Sequence, residues 1–499
     1  MQIILPKNVN KIIHVLEEHG FQAYAVGGCI RDSLLGRTPH DWDITTSALP
    51  EQVKALFKKT VDTGIQHGTV TILLDGEGYE VTTYRLDGEY EDSRHPKEVT
   101  FTSLLSEDLK RRDFTVNAMA YNEKDGLVDL FGGQKDMEEK VIRCVGDPLE
   151  RFTEDALRIL RAVRFAAQLG FSIEERTREA IGILAGNLEH ISAERIQAEL
   201  VKLAVSPHPE EFYTACETGI TRVILPEFDE AMETPQNNPH HCYTVGRHMI
   251  ESMRQIEPDK VLRLTMLFHD IGKPVVRSTG EDGVDHFFGH ADVSAQMACD
   301  ILKRLKFDNE TLNTVEKLIT YHDFRPHPNE RSVRRFLNKV GKDLFPLVMK
   351  VQRADVAAQS DYQRSEKEER IREVEALAEK IFAEKQCFCL KDMAVTGRDL
   401  IADGMKPGKD LGAVLSELLG EVLRDPSHNT KEYLLEYMKW SNIWREKVQI
   451  PYGTNKYSRE EHKKIFDEMQ KIITRYDYDS SEFIATAYFG QTPGMDYGI

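Results

Sequence analysis

The stretch AVGGCIRDSLLGRTPHDWDITT, residues 25–46, decides how the first part of this chain folds. It begins at the end of a short apolar run typical of a strand and continues, after Gly27 and Gly28, into a helical pattern. Glycines at a helix start let backbone N–H groups approach a phosphate, and Arg31 adds a guanidinium that can hold two phosphate oxygens. This half of the stretch therefore predicts a phosphate-binding turn.

Two carboxylates, Asp41 and Asp43, follow in the second half of the stretch. Segment 41–45 has the pattern of a strand, on which side chains two residues apart point to one face, so both carboxylates can hold the same ion. Magnesium prefers such oxygen ligands beside a triphosphate. Two aspartates at this spacing are also typical of a solvated turn, but behind the two glycines and Arg31 they predict a catalytic magnesium–nucleotide site.

Bulk properties place few limits on function. With 499 residues the chain exceeds what one hydrophobic core usually supports, so we expect three or more domains. A net charge of −18 argues only weakly against a nucleic-acid partner, because local basic clusters matter more than the sum. The sequence contains neither an apolar membrane span nor a signal-peptide pattern. Its seven scattered cysteines indicate a reducing compartment, so we expect a cytoplasmic protein without a membrane partner.

Strand and helix patterns divide along the chain. Residues 1–145 mix both patterns and include a predicted hairpin over 69–84, whereas the 3.6-residue period dominates from Asp147 onward. A turn-rich break at 235–239 and a charged helical stretch at 361–385, typical of a solvated connecting helix, mark two further boundaries. The predicted fold is an α+β head, with a small mixed sheet and helices, followed by all-α segments.

The quoted stretch resembles the nucleotidyltransferase family of class II CCA-adding enzymes and bacterial poly(A) polymerases. The resemblance covers about the first 205 residues, with its motifs in the order of that family. Beyond the quoted stretch these motifs are Gly68-Thr69-Val70, YEVTT at 79–83, RRDFTVNAMAYN at 111–122 and RFTEDALRILRAVRFAAQLGF at 151–171. The resemblance implies addition of nucleotides to an RNA 3′ end, with two magnesium ions acting on the attacking 3′ hydroxyl and the leaving pyrophosphate.

Residue roles follow from the resemblance one position at a time. Asp41 and Asp43 would be the catalytic magnesium ligands. Glu80 is a candidate third carboxylate or else a surface strand residue, and Asp113 either supports the fold or assists the site. The residues implied in nucleotide binding are Gly28, Arg31, Arg112, Asp155, Arg158, Arg161 and Arg164.

Asp155 and Arg158 are predicted to choose the base. Three residues apart on a helix, they would face the same way. Cytosine and adenine present an amino donor beside a ring-nitrogen acceptor, and uracil and guanine present the reverse, so a carboxylate with a guanidinium accepts only the first two. The matching family motif also includes Glu154. Arg161 and Arg164 follow at the same step, each turned by about 60°, and predict a basic flank for a triphosphate or an RNA end, or else pairs with surface acids.

The family contains activities that differ in the bases added. Segment 87–96 resembles the flexible loop that CC-adding enzymes lack, and the C-terminus is not strongly basic, as that of a poly(A) polymerase would be. These features favour CCA addition to tRNA from CTP and ATP, with A addition alone or poly(A) synthesis as alternatives. Segment 393–435 resembles the tRNA-binding C-terminal region of related enzymes. The sequence leaves the oligomeric state and the role of residues 451–499 open.

The middle of the chain carries a second candidate metal site, in LFHDIGKP at 267–274. Together with His248 and a late Asp355, the pair His269-Asp270 resembles the HD phosphohydrolase superfamily, in which these side chains converge on a metal. Imidazole with carboxylate suits magnesium, manganese or nickel. A second metal position would take its ligands from His290 and His322.

This second site leaves alternatives open. It would hydrolyse phosphates left on damaged RNA 3′ ends, or it would be a relic that only supports the helical fold. The whole chain could also be an HD phosphohydrolase with an inactive transferase domain, although its intact transferase motifs argue against that. The predicted segments are the nucleotidyltransferase head 1–145, the helical neck with the nucleotide-recognition helix 146–235, the HD metal-binding domain 236–360, the helical tRNA-binding tail 361–450 and the C-terminal extension 451–499.

Overall fold

The computed structural model of the protein describes residues 3–87 and 99–438. They form two compact units, the first made of residues up to 393 with 421–426 and the second of 394–420 with 427–438. The predicted flexible loop 87–96 lies outside the described residues except for Asp87, and the predicted extension 451–499 lies wholly outside them. The five predicted segments are finer than these units and stay predictions.

A seven-stranded mixed sheet forms the head. Its strand order is β3-β4-β5-β2-β1-β8-β9, and all neighbours are antiparallel except β2 and β5. Along the chain, one helix comes before the first strand of this sheet, three lie between its strands, and a fifth follows its last strand. The strands are β1 Ala23–Val26, β2 Ile44–Thr46, β3 Thr60–Gly64, β4 Thr69–Leu74, β5 Glu77–Thr83, β8 Met119–Asn122 and β9 Gly126–Asp129, with the short pairs β6 Arg85–Asp87 and β7 Val99–Phe101, β10 Val141–Ile142 and β11 Ser172–Ile173, and β12 Ser278–Thr279 and β13 Asp285–His286. The head helices are α1 Lys7–Glu18, α2 Gly28–Leu34, α3 Pro50–Leu56, α4 Leu105–Lys110 and α5 Gly133–Glu138.

Local sequence explains the hairpin of β4 and β5. Its turn is the dipeptide Asp75-Gly76, and both residues have positive φ, at 52° and 88°. Two consecutive positive φ angles define the tight turn whose twist matches that of a hairpin, and Asp-Gly is a preferred sequence for it. The hairpin prediction is confirmed, with strands that reach closer to the turn than expected.

After the head the described residues, up to 438, are predominantly helical, which confirms the predicted fold class. The predicted break at 235–239 falls in the non-helical stretch between α12 and α13. The helices are α6 Pro148–Glu154, α7 Leu157–Leu169, α8 Glu175–Leu184, α9 Ala193–Ala204, α10 Phe212–Glu217, α11 Ile220–Ile224, α12 Pro226–Glu233, α13 Val245–Arg254, α14 Lys260–Phe268, α15 Lys273–Val276, α16 His290–Arg304, α17 Asn309–His322, α18 Glu330–Val340, α19 Phe345–Ala357, α20 Arg364–Ala383, α21 Gly397–Ala402 and α22 Lys409–Arg424.

The charged helix α20 is not the solvated connector that its composition suggested. Ile371, Val374, Ala378 and Ile381 are buried, and they recur at helical spacing on the face that packs against α18 and α19. The many charges occupy the remaining surface, so composition alone hid a narrow apolar stripe.

No helix in the described part of the chain is long and apolar enough to cross a membrane. The seven cysteines are all free thiols.

Candidate active site

The acidic part of the head site lies in a cleft of about 760 Å³ whose walls include Asp41, Asp43 and Glu80. Strand β2 begins only at Ile44, so the two aspartates precede the strand on which the sequence placed them. The ladder still continues by one bond, because the Asp43 carbonyl accepts from Val26 N at 2.9 Å. We call this space the head cleft.

Sheet register places Glu80 beside the aspartates. Ile44 of β2 pairs in parallel with Val81 of β5, so Asp43 and Glu80 immediately precede partner residues. All three carboxylates therefore line one cleft, Asp41 and Asp43 from the residues just before β2 and Glu80 from the middle of β5. The sequence alone could not choose between a third carboxylate and a surface residue, because the pairing of β2 with β5 is a tertiary fact.

The charge balance of the head cleft suits a cation. Desolvation raises the pKa of the Asp43 carboxyl, Arg112 opposes this rise, and the negative charge of Asp41 adds to it. A carboxyl whose pKa is raised by crowding and by a like charge gains from a divalent cation. Carboxylates are ligands that magnesium prefers, so Asp41 and Asp43, with Glu80 on the same cleft wall, remain candidate ligands.

Two arginines lie against the glycine turn, and one of them, Arg112, acts on the Asp43 carboxylate. Gly27 has a φ of +84°, and a Cβ there would lie 3.0 Å from Nη1 of Arg112. A Cβ on Gly28 would lie 3.6 Å from Nη2 of Arg31. Arg31 is itself fixed by Asn117, whose Oδ1 accepts from Nη1 at 2.5 Å. The structure thus brings Gly28, Arg31 and Arg112 together, as the sequence predicted.

Asp108 is a residue that sequence reasoning missed. It is fully buried and accepts hydrogen bonds from Arg111 at 2.8 Å, from Arg112 at 3.3 Å and from Thr45 Oγ1 of β2 at 3.1 Å. Burial raises the pKa of Asp108, but the charges of Arg111 and Arg112 outweigh burial and hold it below the ordinary value. Asp108 therefore orients Arg112 beside the site. An acid three and four residues before two arginines was the available signal.

The base-selecting pair is not arranged as two neighbours on one helix. Helix α6 ends at Glu154 and α7 begins at Leu157, so Asp155 occupies the extended break between them, with φ −140° and ψ 102°. Asp155 Oδ1 accepts from Leu157 N at 3.1 Å, and Oδ2 accepts from Arg195 Nη2 at 2.9 Å. Arg195 lies in α9, and its Nη1 is buried without a hydrogen-bond partner among the described residues.

Arg158 is held at the start of α7 and points back toward the head. Its Nη1 donates to Glu154 at 2.7 Å, and its Nη2 donates to the Arg111 carbonyl at 3.0 Å. Arg111 precedes Arg112, whose charge acts on Asp43. One dipeptide therefore links the guanidinium of the predicted base-selecting pair to the carboxylates of the head cleft.

Arg161 and Arg164 face other parts of the protein. Arg161 donates to Asp113 Oδ2 from Nε at 2.9 Å and from Nη2 at 2.5 Å, which joins the neck to the head. Arg164 is buried, donates to Glu199 of α9 at 2.8 Å and lies 3.5 Å from the Phe165 ring centroid. The structure does not bring Arg164 to the head cleft, and its predicted nucleotide contact stays a prediction.

A second cluster lies in the helical part of the first unit and is nearly closed to solvent. Asp270 lies at its centre, 3.6 Å from Nε2 of His248 and 3.4 Å from Nε2 of His269 through Oδ2. Its other oxygen lies 3.4 Å from His290 Nε2 and 3.5 Å from His322 Nε2. We call these residues, with Asp355 at 3.0 Å from His248, the HD cluster.

The histidines of the HD cluster direct their lone pairs inward. In each ring Nδ1 faces a backbone carbonyl, at 2.9 Å for His269 and His290, 2.6 Å for His322 and 3.4 Å for His248. A carbonyl only accepts, so the proton sits on Nδ1, and in a neutral ring Nε2 then carries the lone pair. This arrangement is the usual support of metal-binding histidines.

The Nε2 atoms of the histidines therefore face one another in pairs within the HD cluster. The Nε2 atoms of His248 and His269 are 3.2 Å apart, and those of His290 and His322 are 3.3 Å apart. Burial lowers the pKa of His269 to about 3, so that ring is neutral near pH 7. Both oxygens of Asp270 are buried, and Oδ2 lies 2.7 Å from Nζ of Lys273.

This donor set fits two divalent cations. His248, His269 and Asp270 place ligand atoms within 4.8 Å of one another, and so do Asp270, His290 and His322. Asp270 is shared, which places two metal positions side by side, as in dinuclear phosphoryl-transfer sites. The six predicted ligands therefore converge, and a space of about 300 Å³ opens from them to the surface.

Comparisons with known proteins agree with the head geometry. Residues 23–143 match the family described as Poly A polymerase head domain, 170–232 match a segment described as a probable RNA and SrmB-binding site of polymerase A, and 279–438 match tRNA nucleotidyltransferase domain 2. A CCA-adding enzyme of Lactobacillus helveticus is 35% identical over 439 residues, which cover 86% of this chain and 95% of the relative. One from Levilactobacillus brevis is 36% identical over 425 residues, covering 85% and 95%. The solved CCA-adding enzyme of Bacillus stearothermophilus, in complex with CTP, matches with a TM-score of 0.67 and 30% identity, covering 89% of this chain and 100% of that one.

Proposed function

The chain belongs to the family of CCA-adding enzymes and is a nucleotidyltransferase; from this premise we propose that it adds C, C and A from CTP and ATP to the 3′ end of tRNA and releases pyrophosphate. The observation that carries the proposal is the link through Arg111 and Arg112, which connects the acidic head cleft to Arg158. The relatives matched over nearly their whole length are CCA-adding enzymes, which favours CCA addition over poly(A) synthesis or A addition alone.

Asp41, Asp43 and Glu80 would hold magnesium in the head cleft. When bound, the ions would supply the charge that lowers the barrier for attack by the RNA 3′ hydroxyl and for departure of pyrophosphate. Arg31 and Arg112, which are held by Asn117 and Asp108, would bind the triphosphate before reaction. Because these guanidiniums are held in position beforehand, little reorganisation is needed when negative charge develops.

Asp155 and Arg158 would select the base. A carboxylate has about four acceptor positions, so the bonds from Leu157 and Arg195 leave Asp155 able to accept from the amino group of cytosine or adenine. Arg158 would donate to the adjacent ring nitrogen. Uracil and guanine would present a carbonyl to Asp155. The two acceptors would then face each other without a donor, and a buried acceptor left unpaired costs roughly 1–3 kcal/mol.

The test uses tRNA transcripts that end before the first C, after one C and after both, with each nucleotide supplied singly and together. We expect CTP to extend the first two ends, ATP to extend only the third, and products to be resolved at single-nucleotide length. Asp43→Asn should abolish addition, whereas the control Asp62→Asn, an exposed head carboxylate paired with Lys54, should not. Extension of only the CC end would indicate A addition, and long A runs would indicate poly(A) synthesis.

A second activity is favoured by the convergence of the ring nitrogens of the HD cluster on the buried carboxylate of Asp270. We propose that this cluster holds two divalent cations, magnesium, manganese or nickel, and removes phosphates from RNA 3′ ends, which would leave the free hydroxyl that the head cleft extends. Lys273, whose Nζ lies 2.7 Å from Asp270, would help to hold that carboxylate ionised.

This second activity is tested with a tRNA that ends in a 2′,3′-cyclic phosphate, in the presence of each metal in turn. We expect the wild type to hydrolyse the cyclic phosphate ring. His269→Ala should lose this hydrolysis and keep CCA addition unchanged. Because a lost metal ligand can unfold a domain, the melting temperature of the variant is measured first. No opening under any metal would support the relic that only stabilises the helical fold.

A further inference from the structure

A second cavity adjoins the HD cluster. Its volume is about 360 Å³, and it lies between the segment after α12 and helices α19 and α20. Four residues line both this cavity and the space above the metal ligands, namely Asn238, His241, Asp323 and Gln359. We call it the basic chamber, because Arg325, Lys367 and Arg370 line it against the single carboxylate of Asp323.

Two of the cations in the basic chamber have no carboxylate partner among the described residues. Lys367 donates only to the amide oxygen of Gln359, at 2.6 Å. Arg370 donates to the backbone carbonyls of Pro326 at 3.0 Å and of Arg325 at 2.6 Å. Burial and, to a smaller extent, the charge of Lys367 lower the pKa of His240, which shows that this positive charge acts across the chamber.

Unsatisfied polar atoms also line the basic chamber. Nδ1 of His240 and Nδ1 of His241 are buried, and neither makes a hydrogen bond within the described structure. A buried polar atom without a partner costs roughly 1–3 kcal/mol, so such atoms in a cavity wall indicate a ligand that completes them. Two cations without a carboxylate partner among the described residues, beside two ring nitrogens that can donate in the Nδ1–H tautomer, fit an anionic ligand.

The basic chamber is directly connected to the metal ligands. Gln359 accepts from Lys367 and donates from Nε2 to Asp355 Oδ1 at 3.1 Å. Arg325 also lines the chamber, and its Nη2 donates to Asp355 Oδ2 at 2.7 Å. The side chain of Gln359 therefore joins Lys367 to the metal ligand Asp355, and Arg370 bonds to the backbone of Arg325, whose side chain also holds Asp355.

We propose that the HD cluster and the basic chamber together bind a nucleotide phosphorylated at both ends of its ribose, with the 3′ phosphate at the metals and the 5′ phosphate at Lys367 and Arg370. This is the chemistry of the last nucleotide of an RNA that ends in a 3′ phosphate. The inference rests on the phosphohydrolase activity proposed above and specifies its substrate: a nucleotide within an RNA chain, rather than a free phosphomonoester.

The experiment compares uridine 3′,5′-bisphosphate with uridine 3′-monophosphate on the full chain. Uridine is used because the proposed base-selecting pair of the neck should reject it, so that binding at the transferase site contributes little. Binding is measured by calorimetry on metal-stripped protein, and phosphate release is measured with magnesium, manganese and nickel. We expect the bisphosphate to bind roughly tenfold more tightly and to react with a correspondingly higher kcat/KM.

Variants locate the preference. Lys367→Gln and Arg370→Gln should each remove most of the preference, whereas Arg370→Lys should keep part of it and Arg372→Gln should keep all of it. Arg372 is the matched control, because it lies on the same helix and pairs only with Glu369 at the surface. Melting temperatures within a few degrees of the wild type show that each variant is folded.

The outcomes separate this inference from the activity on which it rests. Equal binding of the two nucleotides by the wild type, or a preference unchanged in Lys367→Gln and Arg370→Gln, overturns the basic chamber as a phosphate site. A binding preference that follows the variants, with no phosphate release under any metal, supports the chamber and refutes the hydrolase. In a third outcome, Arg370→Gln loses the preference, Arg370→Lys does not restore it, and Lys367→Gln keeps it. Arg370 would then serve only to cap the backbone carbonyls of Arg325 and Pro326, and the chamber would not be a phosphate site.

Discussion

Breaking the ion pair between Asp113 and Arg161 should loosen the junction of head and neck. The Asp113 carboxylate accepts from Phe114 N at 2.8 Å, from Asn117 Nδ2 at 3.1 Å and twice from Arg161. Asp113→Asn keeps an oxygen for the first of these bonds but turns an amide donor toward the guanidinium. The two lost bonds are charge-assisted, and such bonds are worth about 1.5–3 kcal/mol each when buried.

Solvent reduces this magnitude. The Arg161 side chain is 33% exposed, so water can replace part of what Asp113 supplies, and we expect a loss of about 2–3 kcal/mol rather than the full sum. The coupling energy of the cycle Asp113→Asn with Arg161→Gln should be about 2 kcal/mol. The control cycle Asp62→Asn with Lys54→Gln, an exposed pair in the same domain, should give at most about 0.5 kcal/mol.

The assay is urea unfolding followed by the fluorescence of Trp42, which reports on the head. Replacing Trp440 and Trp444 by Phe leaves Trp42 as the single tryptophan of the chain. Multidomain chains need not unfold in one step, so only the transition seen by this probe is analysed. A coupling energy no larger than that of the control cycle would refute the reasoning.

The pH dependence gives an independent check on Asp113. Burial raises its pKa, but Arg161 and the hydrogen bond from Asn117 outweigh burial and hold the pKa well below the ordinary 3.8. A carboxyl with a depressed folded pKa contributes its stability above the unfolded pKa and loses it as pH falls through the folded value. The gap between wild type and Asp113→Asn should therefore stay constant from pH 7 to about 4 and shrink only below.

Three further predictions concern the sites themselves. Asp155→Ala should relax the exclusion of U, and Arg195→Ala should do so more weakly because Arg195 only positions Asp155. The measurement is kcat/KM for each nucleotide, which should shift roughly tenfold, and unchanged values in both variants would contradict the prediction. Gly27→Ala and Gly126→Ala should each lose about 1 kcal/mol, since both have positive φ, but only the first should impair CCA addition because only it crowds a site arginine. Manganese should raise the melting temperature of the wild type and not that of His269→Ala, and equal shifts would count against the HD metal site.

The sequence was sufficient where function depends on short local patterns. The Gly27-Gly28 turn, the hairpin at Asp75-Gly76 and the His269-Asp270 pair each follow from neighbours within a few residues, and the structure places all of them as expected. The family resemblance is confirmed for the same reason, because its motifs are local strings.

The partners of these residues were not predictable, because they are distant in the chain. Arg195 lies 40 residues from Asp155, and Arg164 lies 35 residues from Glu199. Such pairs form only when helices pack, and no spacing rule specifies them. The basic chamber was hidden for a further reason: Lys367 belongs to a stretch so rich in charge that every residue in it looked solvated.

The arginine series on α7 shows how a regular pattern can serve three purposes. Each three-residue step turns the side chain by about 60°, so Arg158, Arg161 and Arg164 cannot all reach one ligand. Arg158 points to the head carbonyl of Arg111, Arg161 pairs with the head carboxylate of Asp113, and Arg164 is buried against α9. The two later arginines clamp the helix on two sides, and a clamped helix cannot rotate about its axis. Rotation of α7 by one such step of about 60° would carry Arg158 away from the base that we propose it binds. We therefore infer that Arg161 and Arg164 act on selectivity through the orientation of α7 rather than by touching the nucleotide.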